Sequence, residues 1–167
     1  MDLQAIFDNF RRTITDHYFD MRGRVGRAQF WYFVLAFFVG AILASILQSV
    51  TFLPLAPIYH LALLLPIAGM GARRLQDIGR DGKLIWIFVF AGFVSLFLWT
   101  ITAISFFALG FLSVLLFGPL LMLLHLTLAV ASIVLIYFWC QPGTPGDNAY
   151  GPPPPVFDPS VRISPSP

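Results

Sequence analysis

The chain has 167 residues, of which 58% are hydrophobic and only 11% are charged. A soluble domain has about a quarter of its residues charged. Two long blocks, 30–72 and 84–146, contain no Asp, Glu, Lys or Arg. These features exclude an ordinary soluble domain and a disordered chain, and the single cysteine, Cys140, excludes a scaffold of internal disulfides. They predict a small α-helical membrane protein with several spans.

The first segment in chain order, residues 2–19, has the apolar spacing of an amphipathic helix. Its apolar positions are Leu3, Ile6, Phe7, Phe10 and Ile14. The segment is too polar to cross a bilayer, and two interpretations stay open. It can lie in the plane of the membrane interface, or it can dock on the protein's own cytosolic surface. Together with the basic residues that follow, it forms a predicted cytoplasmic region, 1–29.

Four membrane spans are predicted after this region, because one span needs about 20 apolar residues. Their approximate limits are 30–50, 55–72, 84–107 and 114–139, with a cytoplasmic loop at 73–83 between the second and third. Pro66 predicts a kink in the second span. The helix is expected to continue past the span into Arg73–Ile78 and to end near Gly79, a residue type that suits the position after a helix. The turn between the last two spans is placed near Leu109–Gly110, with Gly118–Pro119 as the alternative.

The segment after the spans, 140–167, is rich in proline and predicts an extended tail without a core of its own. The complete prediction is an all-α membrane protein: a four-transmembrane-helix bundle with an N-terminal amphipathic interfacial helix and a Pro-rich C-terminal tail. Basic residues precede the first span and separate the second from the third, whereas the two opposite loops contain no Lys or Arg. The positive-inside rule therefore predicts that both termini are cytoplasmic.

Two short basic segments are candidate binding sites. In the first, Arg24 and Arg27 are three residues apart and would share one face if the segment is helical; the alternative is a topology signal whose side chains reach lipid phosphates. In the second, Asp77 follows Arg73 by four residues and Arg74 by three, so that it can pair with either. The other arginine is then available for a phosphate or carboxylate. The alternative is a basic loop held together by one ion pair.

His125 is predicted to lie well inside the fourth span. An ionisable residue in a membrane is a functional hypothesis by default. Because the spans contain no carboxylate, a neutral histidine bonded to a hydroxyl of the third span is favoured over a proton relay. The possible partners are Ser95, Thr100, Thr102 and Ser105.

Motifs of catalysis and metal binding are missing from the sequence. It contains no paired carboxylates, no zinc-ligand spacing and no serine-nucleophile motif. We therefore expect neither an enzyme, nor a metal site, nor a cofactor.

Three segments in order carry a family resemblance. The first is Gly23-Arg24-x-x-Arg27-x-x-Phe30-Trp31, the second is RRLQDIG at 73–79, and the third is PGTPGDNAYGP at 142–152. Around four spans, they resemble the bacterial inner-membrane family called domain of unknown function 805, the YhaH-type proteins. The resemblance covers roughly residues 18–155. It implies a bacterial inner-membrane location and no particular activity.

The sequence departs from the pattern of this family in the second segment and just after it. The family usually has His at the position of Gln76, Ser near Asp81 and an aromatic residue near Lys83. Glutamine can donate and accept hydrogen bonds, but it cannot change its charge. A role that depends on a titrating histidine in this segment is therefore not expected here.

The three segments are predicted to meet on one membrane face as a polar cluster. Its charged members are Arg24, Arg27, Arg73, Arg74 and Asp77, which the segment Asn148–Gly151 covers. Arg80 and Lys83 are added as further anion-binding residues, and the structural polar residues are Gln76, Asn148 and Tyr150.

The leading functional hypothesis is a non-enzymatic inner-membrane protein whose basic cytoplasmic face binds an anionic lipid headgroup or a carboxylate of a partner. The alternative is a small transporter, or a subunit of one, in which the arginine cluster acts as an anion gate. The expected partners are membrane lipids, especially anionic ones, and either a second copy of the chain or another membrane protein. No nucleic-acid partner is expected.

Overall fold

The computed structural model describes residues 3–157, which form five α-helices. They are α1 Leu3–Thr15, α2 Arg27–Thr51, α3 Leu55–Asp77, α4 Ile85–Leu109 and α5 Phe111–Cys140, with a short 3₁₀ turn at Gly82–Leu84. The four helices α2 to α5 are long and apolar enough to cross a membrane. The prediction of an all-α membrane protein with four spans is thus confirmed. Residues 1–2 and the part of the predicted tail after residue 157 lie outside the described residues.

The chain divides into two compact units. The first unit contains α1, α2 and α3 together with the segment that begins at Gln141, and the second runs from Lys83 to Cys140. All the predicted site residues except Lys83 and His125 belong to the first unit.

One face of α1 is docked on the protein itself. The Phe10 ring stacks on Phe33 of α2 with a centroid distance of 5.4 Å, and Asn9 Nδ2 donates to the Gln29 carbonyl at 3.1 Å. The buried residues of this helix are Ile6, Asn9 and Thr13. This face of α1 therefore docks on the protein's own surface, which is one of the two interpretations of the segment.

The opposite face of α1 keeps apolar side chains on the outside. Leu3 is 73% exposed and Phe7 is 63% exposed. Arg11, one turn after Phe7, is exposed as well. The helix thus presents both apolar and cationic groups to its surroundings, as helices at a membrane surface do.

Helices α2 and α3 form an antiparallel pair in which one glycine is required. The Tyr59 hydroxyl of α3 donates to the Phe37 carbonyl of α2 at 3.0 Å. A Cβ atom at Gly40 would overlap that hydroxyl oxygen. Any other residue at position 40 would therefore push Tyr59 out of its place.

The end of α3 is a Schellman motif. Gly79 adopts a φ of 76°, its N–H donates to the Gln76 carbonyl at 3.1 Å, and the Arg80 N–H donates to the Leu75 carbonyl at 3.0 Å. Because the helix runs on to this cap, the first five residues of the predicted loop 73–83 form the last turn of α3. Residues 68–77 are all buried, so the signature arginines belong to a packed helix.

In the second unit, the turn between α4 and α5 falls at Gly110. This residue adopts a φ of 57°, and both the N–H and the hydroxyl of Ser113 donate to its carbonyl. Of the two positions considered from the sequence, the turn thus occupies the first, and Pro119 lies within α5.

Candidate functional site

The carboxylate of Asp77 binds two arginines in the interior of the first unit. Arg24 Nε donates to Oδ1 at 2.9 Å, and Arg74 Nη1 donates to Oδ2. The side chains of Arg24, Arg74 and Asp77 are only 2%, 0% and 4% exposed. Arg74 is one of the two partners predicted for Asp77, whereas Arg24 lies 53 residues away in sequence and is brought there by the fold.

The remaining donors of these arginines bind backbone carbonyls of the segment Gln141–Phe157, which we call the strap. Arg24 donates to the carbonyls of Thr144 at 2.6 Å, Gly146 at 2.7 Å and Gly151 at 3.3 Å. Arg74 Nη2 donates to the Gln141 carbonyl. The two guanidinium groups therefore hold the strap, and an external anion would have to displace these bonds to reach them.

The strap in turn caps the end of α3, whose last carbonyls have no acceptor role inside the helix. Thr144 donates both its N–H, at 2.9 Å, and its hydroxyl, at 3.1 Å, to the Asp77 carbonyl. Asn148 donates through Nδ2 to the Gln76 carbonyl at 3.0 Å, and its Oδ1 accepts the Tyr150 N–H at 2.8 Å. The strap thus covers the cluster, and it does so through Thr144 as well as Asn148.

Arg73 points to a different part of the first unit. It is buried, and its closest carboxylate belongs to Asp20 in the segment between α1 and α2, with 3.8 Å between Nη1 and Oδ2. Gln76 lies nearby, since its Nε2 donates to the carbonyl of Met21, the residue after Asp20, at 2.9 Å. The adjacent arginines of the signature segment therefore have separate environments.

The other predicted basic residues are exposed. Arg27 lies in the first turn of α2 and Arg80 follows the end of α3, whereas Lys83 belongs to the second unit. The predicted anion-binding set is therefore divided: Arg24 and Arg74 share Asp77, Arg73 turns to Asp20, and Arg27 and Arg80 reach the surface.

A cavity of about 300 Å³ lies between the first turn of α2 and the strap. Its lining consists of Arg24, Gly26, Arg27, Ala28, Gln29, Asp77, Gly143, Thr144 and Pro153–Phe157. Gly26 is the N-cap of α2 and provides no side-chain cap to the helix, whose first turn contains no acidic residue. The cavity therefore opens onto a helix N-terminus, with Arg24 and Arg27 among its lining residues.

His125 forms a separate polar contact within the second unit. Its Nδ1 lies 2.7 Å from the Leu121 carbonyl, and its Nε2 lies 3.1 Å from the Ser95 hydroxyl. A neutral ring with the proton on Nδ1 satisfies both contacts, because the serine hydroxyl then donates to Nε2. Of the four hydroxyls considered as partners, Ser95 is the one in contact.

Sequence reasoning missed several groups that complete the site. The acceptors at Gln141, Gly146 and Gly151 are backbone carbonyls, which every residue has, so no residue type predicts them. Asp20 could have been noticed, because it is the only acidic residue between positions 17 and 76. Its isolation marks it as a counter-charge for a basic residue, but the choice of Arg73 comes from the packing of α3.

The helices and the buried cluster define a polytopic α-helical membrane protein with a strap bound across an arginine–aspartate centre. Residues 18–152 match the family described as "Protein of unknown function (DUF805)", and the chain belongs to this family. The resemblance that its three segments indicated is thereby confirmed.

Two relatives from Escherichia coli (strain K12) are similar to the chain over most of its length. Inner membrane protein YhaI is 26% identical over 142 residues, which cover 83% of this chain and 89% of YhaI. Uncharacterized protein YiiR is 28% identical over 142 residues, which cover 83% of this chain and 88% of YiiR. No solved structure matches the chain at a significant level. The relatives and the four apolar helices identify a multi-pass inner-membrane protein.

Proposed function

We propose that this inner-membrane protein binds the headgroup of an anionic lipid in the cavity at the first turn of α2. The observation that carries the proposal is the cavity of about 300 Å³, in which a helix N-terminus lies beside the exposed Arg27. A volume of this size accommodates a group as large as a lipid headgroup.

The chemistry of the cavity favours an anion. The first N–H groups of a helix have no partner within the helix, and they carry the positive end of its dipole. Ala28 and Gln29 belong to this turn and line the cavity. Oxygen atoms of a phosphate are well matched to such N–H groups, and Arg27 adds a full positive charge beside them.

The position of the cavity favours a lipid over a carboxylate of a protein partner. Trp31 and Tyr32 follow within about one turn of α2, and these residue types prefer the headgroup level of a bilayer. The Tyr32 ring also contacts Phe157 of the strap at a centroid distance of 5.8 Å. A headgroup at this level can enter the cavity while its acyl chains stay in the membrane. The positive-inside rule assigns the cavity to the cytoplasmic leaflet.

An anion gate receives no comparable support. An anion gate needs arginines that can bind a passing anion. Arg24 and Arg74 instead bind Asp77 and the strap. We therefore propose lipid binding alone. Association with a second copy or with another membrane protein stays a prediction from the sequence.

Native mass spectrometry of the full chain in a gentle detergent tests lipid binding directly. We expect the wild-type protein to retain phosphatidylglycerol over phosphatidylcholine when both are added in equal amounts. Arg27→Gln should lower the retained phosphatidylglycerol about tenfold, because it removes a cation from the cavity. The same spectra report the oligomeric state.

Arg80→Gln is the matched control, since Arg80 is also exposed but does not line the cavity. It should leave lipid retention nearly unchanged. Equal retention by wild type and Arg27→Gln would refute the proposal. An equal loss of phosphatidylglycerol in both variants would show that the lipid binds through general surface charge and not in the cavity.

A further inference from the structure

Arg73 is a buried arginine with too few acceptors. Arg24 and Arg74 each donate to Asp77 and to carbonyls, but Arg73 Nη2 donates to the Met70 sulfur at 3.2 Å. A thioether sulfur is a weak acceptor. Nε of Arg73 is buried and has no hydrogen-bond partner among the described residues. A buried guanidinium in this state lacks the compensation that such charges need.

The carboxylate nearest to Arg73 compensates this charge only weakly. Asp20 Oδ2 lies 3.8 Å from Nη1, beyond hydrogen-bond distance, and the Asp20 side chain is 38% exposed. Asp20 has other partners: its carboxylate accepts the Arg22 N–H at 3.1 Å and lies 3.2 Å from His17 Nδ1. It can therefore leave Arg73 without losing all of its own hydrogen bonds.

One turn further along α3, Gln76 has the complementary defect. Its Nε2 donates to Met21, but its Oε1 is buried and has no hydrogen-bond partner among the described residues. Asp20 and Met21 are consecutive, so Arg73 and Gln76 lie beneath the same short stretch of chain. An unused donor and an unused acceptor thus occur together in the interior.

A ligand that satisfies both side chains needs an anionic oxygen for Arg73 and a proton to donate to Gln76. Carboxylates, sulfate and phosphodiesters carry anionic oxygens but no proton near neutral pH. Inorganic phosphate keeps at least one P–OH group at pH 7, and a phosphate monoester keeps one in part, since its second ionisation falls at about pH 6.

We infer that Arg73 and Gln76 form a binding site for a protonated phosphate group, in which Asp20 occupies the place of the anion when no ligand is bound. The site is separate from the cavity of the proposed function, whose lining contains none of these three residues. The phosphate can belong to a lipid monoester or to a soluble phosphate.

Titration of the full chain in phosphatidylcholine nanodiscs with inorganic phosphate tests the site, with sulfate as the matched anion. Phosphate should bind at least about tenfold more tightly than sulfate, because only phosphate donates to Gln76. Asp20→Asn removes the competing carboxylate and should tighten phosphate binding about tenfold. The control Asp16→Asn, an exposed acid four residues earlier, should bind as the wild type does.

Two conservative substitutions test the two side chains. Arg73→Lys keeps the charge but loses the Nε donor, and it should weaken phosphate binding about tenfold. Gln76→Met removes the acceptor, and it should abolish the preference for phosphate over sulfate. Arg27→Gln, which tests the cavity, should leave phosphate binding unchanged. The lipid site and the phosphate site are therefore tested independently.

Two nanodisc preparations of equal charge distinguish the sources of the phosphate. If phosphatidic acid weakens phosphate binding more than phosphatidylglycerol does, the lipid monoester occupies the site. If both lipids act equally, the soluble anion is the ligand. Equal binding of phosphate and sulfate by the wild type would overturn the inference, and so would an unchanged phosphate affinity in both Asp20→Asn and Arg73→Lys.

Discussion

At the scale of single residues, the stability of the first unit depends on Asp77. Its carboxylate is the close counter-charge of both Arg24 and Arg74. Asp77→Asn leaves two buried guanidinium groups without a carboxylate, and the expected cost is about 3–5 kcal/mol of unfolding free energy. Thermal unfolding in detergent, followed by circular dichroism, measures the loss.

The control for Asp77 is the acid that follows it in sequence. Asp81 is exposed, and Asp81→Asn should change the unfolding free energy by less than about 0.5 kcal/mol. Equal midpoints for the two variants would mean that the buried pairs contribute no more than a surface acid does.

Gly143 is the residue that lets the strap approach Asp77. A Cβ atom at this position would overlap the Asp77 carboxylate. Gly143→Ala should therefore displace the strap at a cost of about 1–3 kcal/mol, the usual range for overpacking. Hydrogen exchange of the Thr144 amide, which is bonded to the Asp77 carbonyl, should become at least about fivefold faster.

A second glycine provides the comparison for this exchange measurement. Gly92 lies inside α4, where an added Cβ meets nothing within 4 Å. Gly92→Ala should leave Thr144 exchange unchanged. If Gly143→Ala also leaves it unchanged, the strap tolerates a side chain at this position and the contact with Asp77 is not its anchor.

At the scale of the helices, one face of α1 packs on the protein and the opposite face is exposed. Phe7 is exposed, whereas Asn9 and Thr13 are buried against α2 and α3. We expect Phe7→Trp to insert its indole into the lipid headgroup region and to be quenched by brominated lipids. Asp16→Trp, just past the end of α1 and on its opposite side, should be quenched much less. Equal quenching would contradict an in-plane orientation of α1.

The helices illustrate what the sequence could predict and what it could not. Charge-free blocks located the four spans, because hydropathy depends only on local composition, and Gly79 indicated the end of α3. Spacing within one turn offered both Arg73 and Arg74 as partners of Asp77, and the fold selects Arg74. The pairing with Arg24 did not follow from spacing, because contacts between distant residues depend on packing. The strap was described as an extended tail, since bonds between arginines and backbone carbonyls leave no periodic pattern.

At the scale of the whole molecule, the orientation in the membrane is a prediction from the distribution of basic residues. The single cysteine offers a direct test, because Cys140 is exposed at the end of α5. With four spans, the positive-inside rule predicts that Cys140 faces the cytoplasm. An impermeant maleimide should label it in inverted membrane vesicles and not in intact spheroplasts.

A second cysteine on the opposite side completes this test. Phe52 lies in the turn between α2 and α3 and is exposed, and the double substitution Cys140→Ser/Phe52→Cys moves the thiol there. This variant should be labelled in intact spheroplasts. The reverse labelling pattern in the two proteins would assign both termini to the periplasm.

The bond between Arg24 and Gly151 joins residues separated by 127 positions, and therefore orders events during synthesis. Arg24 leaves the ribosome before the first span, but its carbonyl partners at 144, 146 and 151 emerge only after the last. Until then, the charges of Arg24 and Arg74 lack most of their acceptors. A chain that stops early, or that fails to insert α5, leaves Arg24 and Arg74 paired with Asp77 but without their carbonyl acceptors in the strap. The contact between Arg24 and the strap therefore forms only in a chain whose last span has been synthesised.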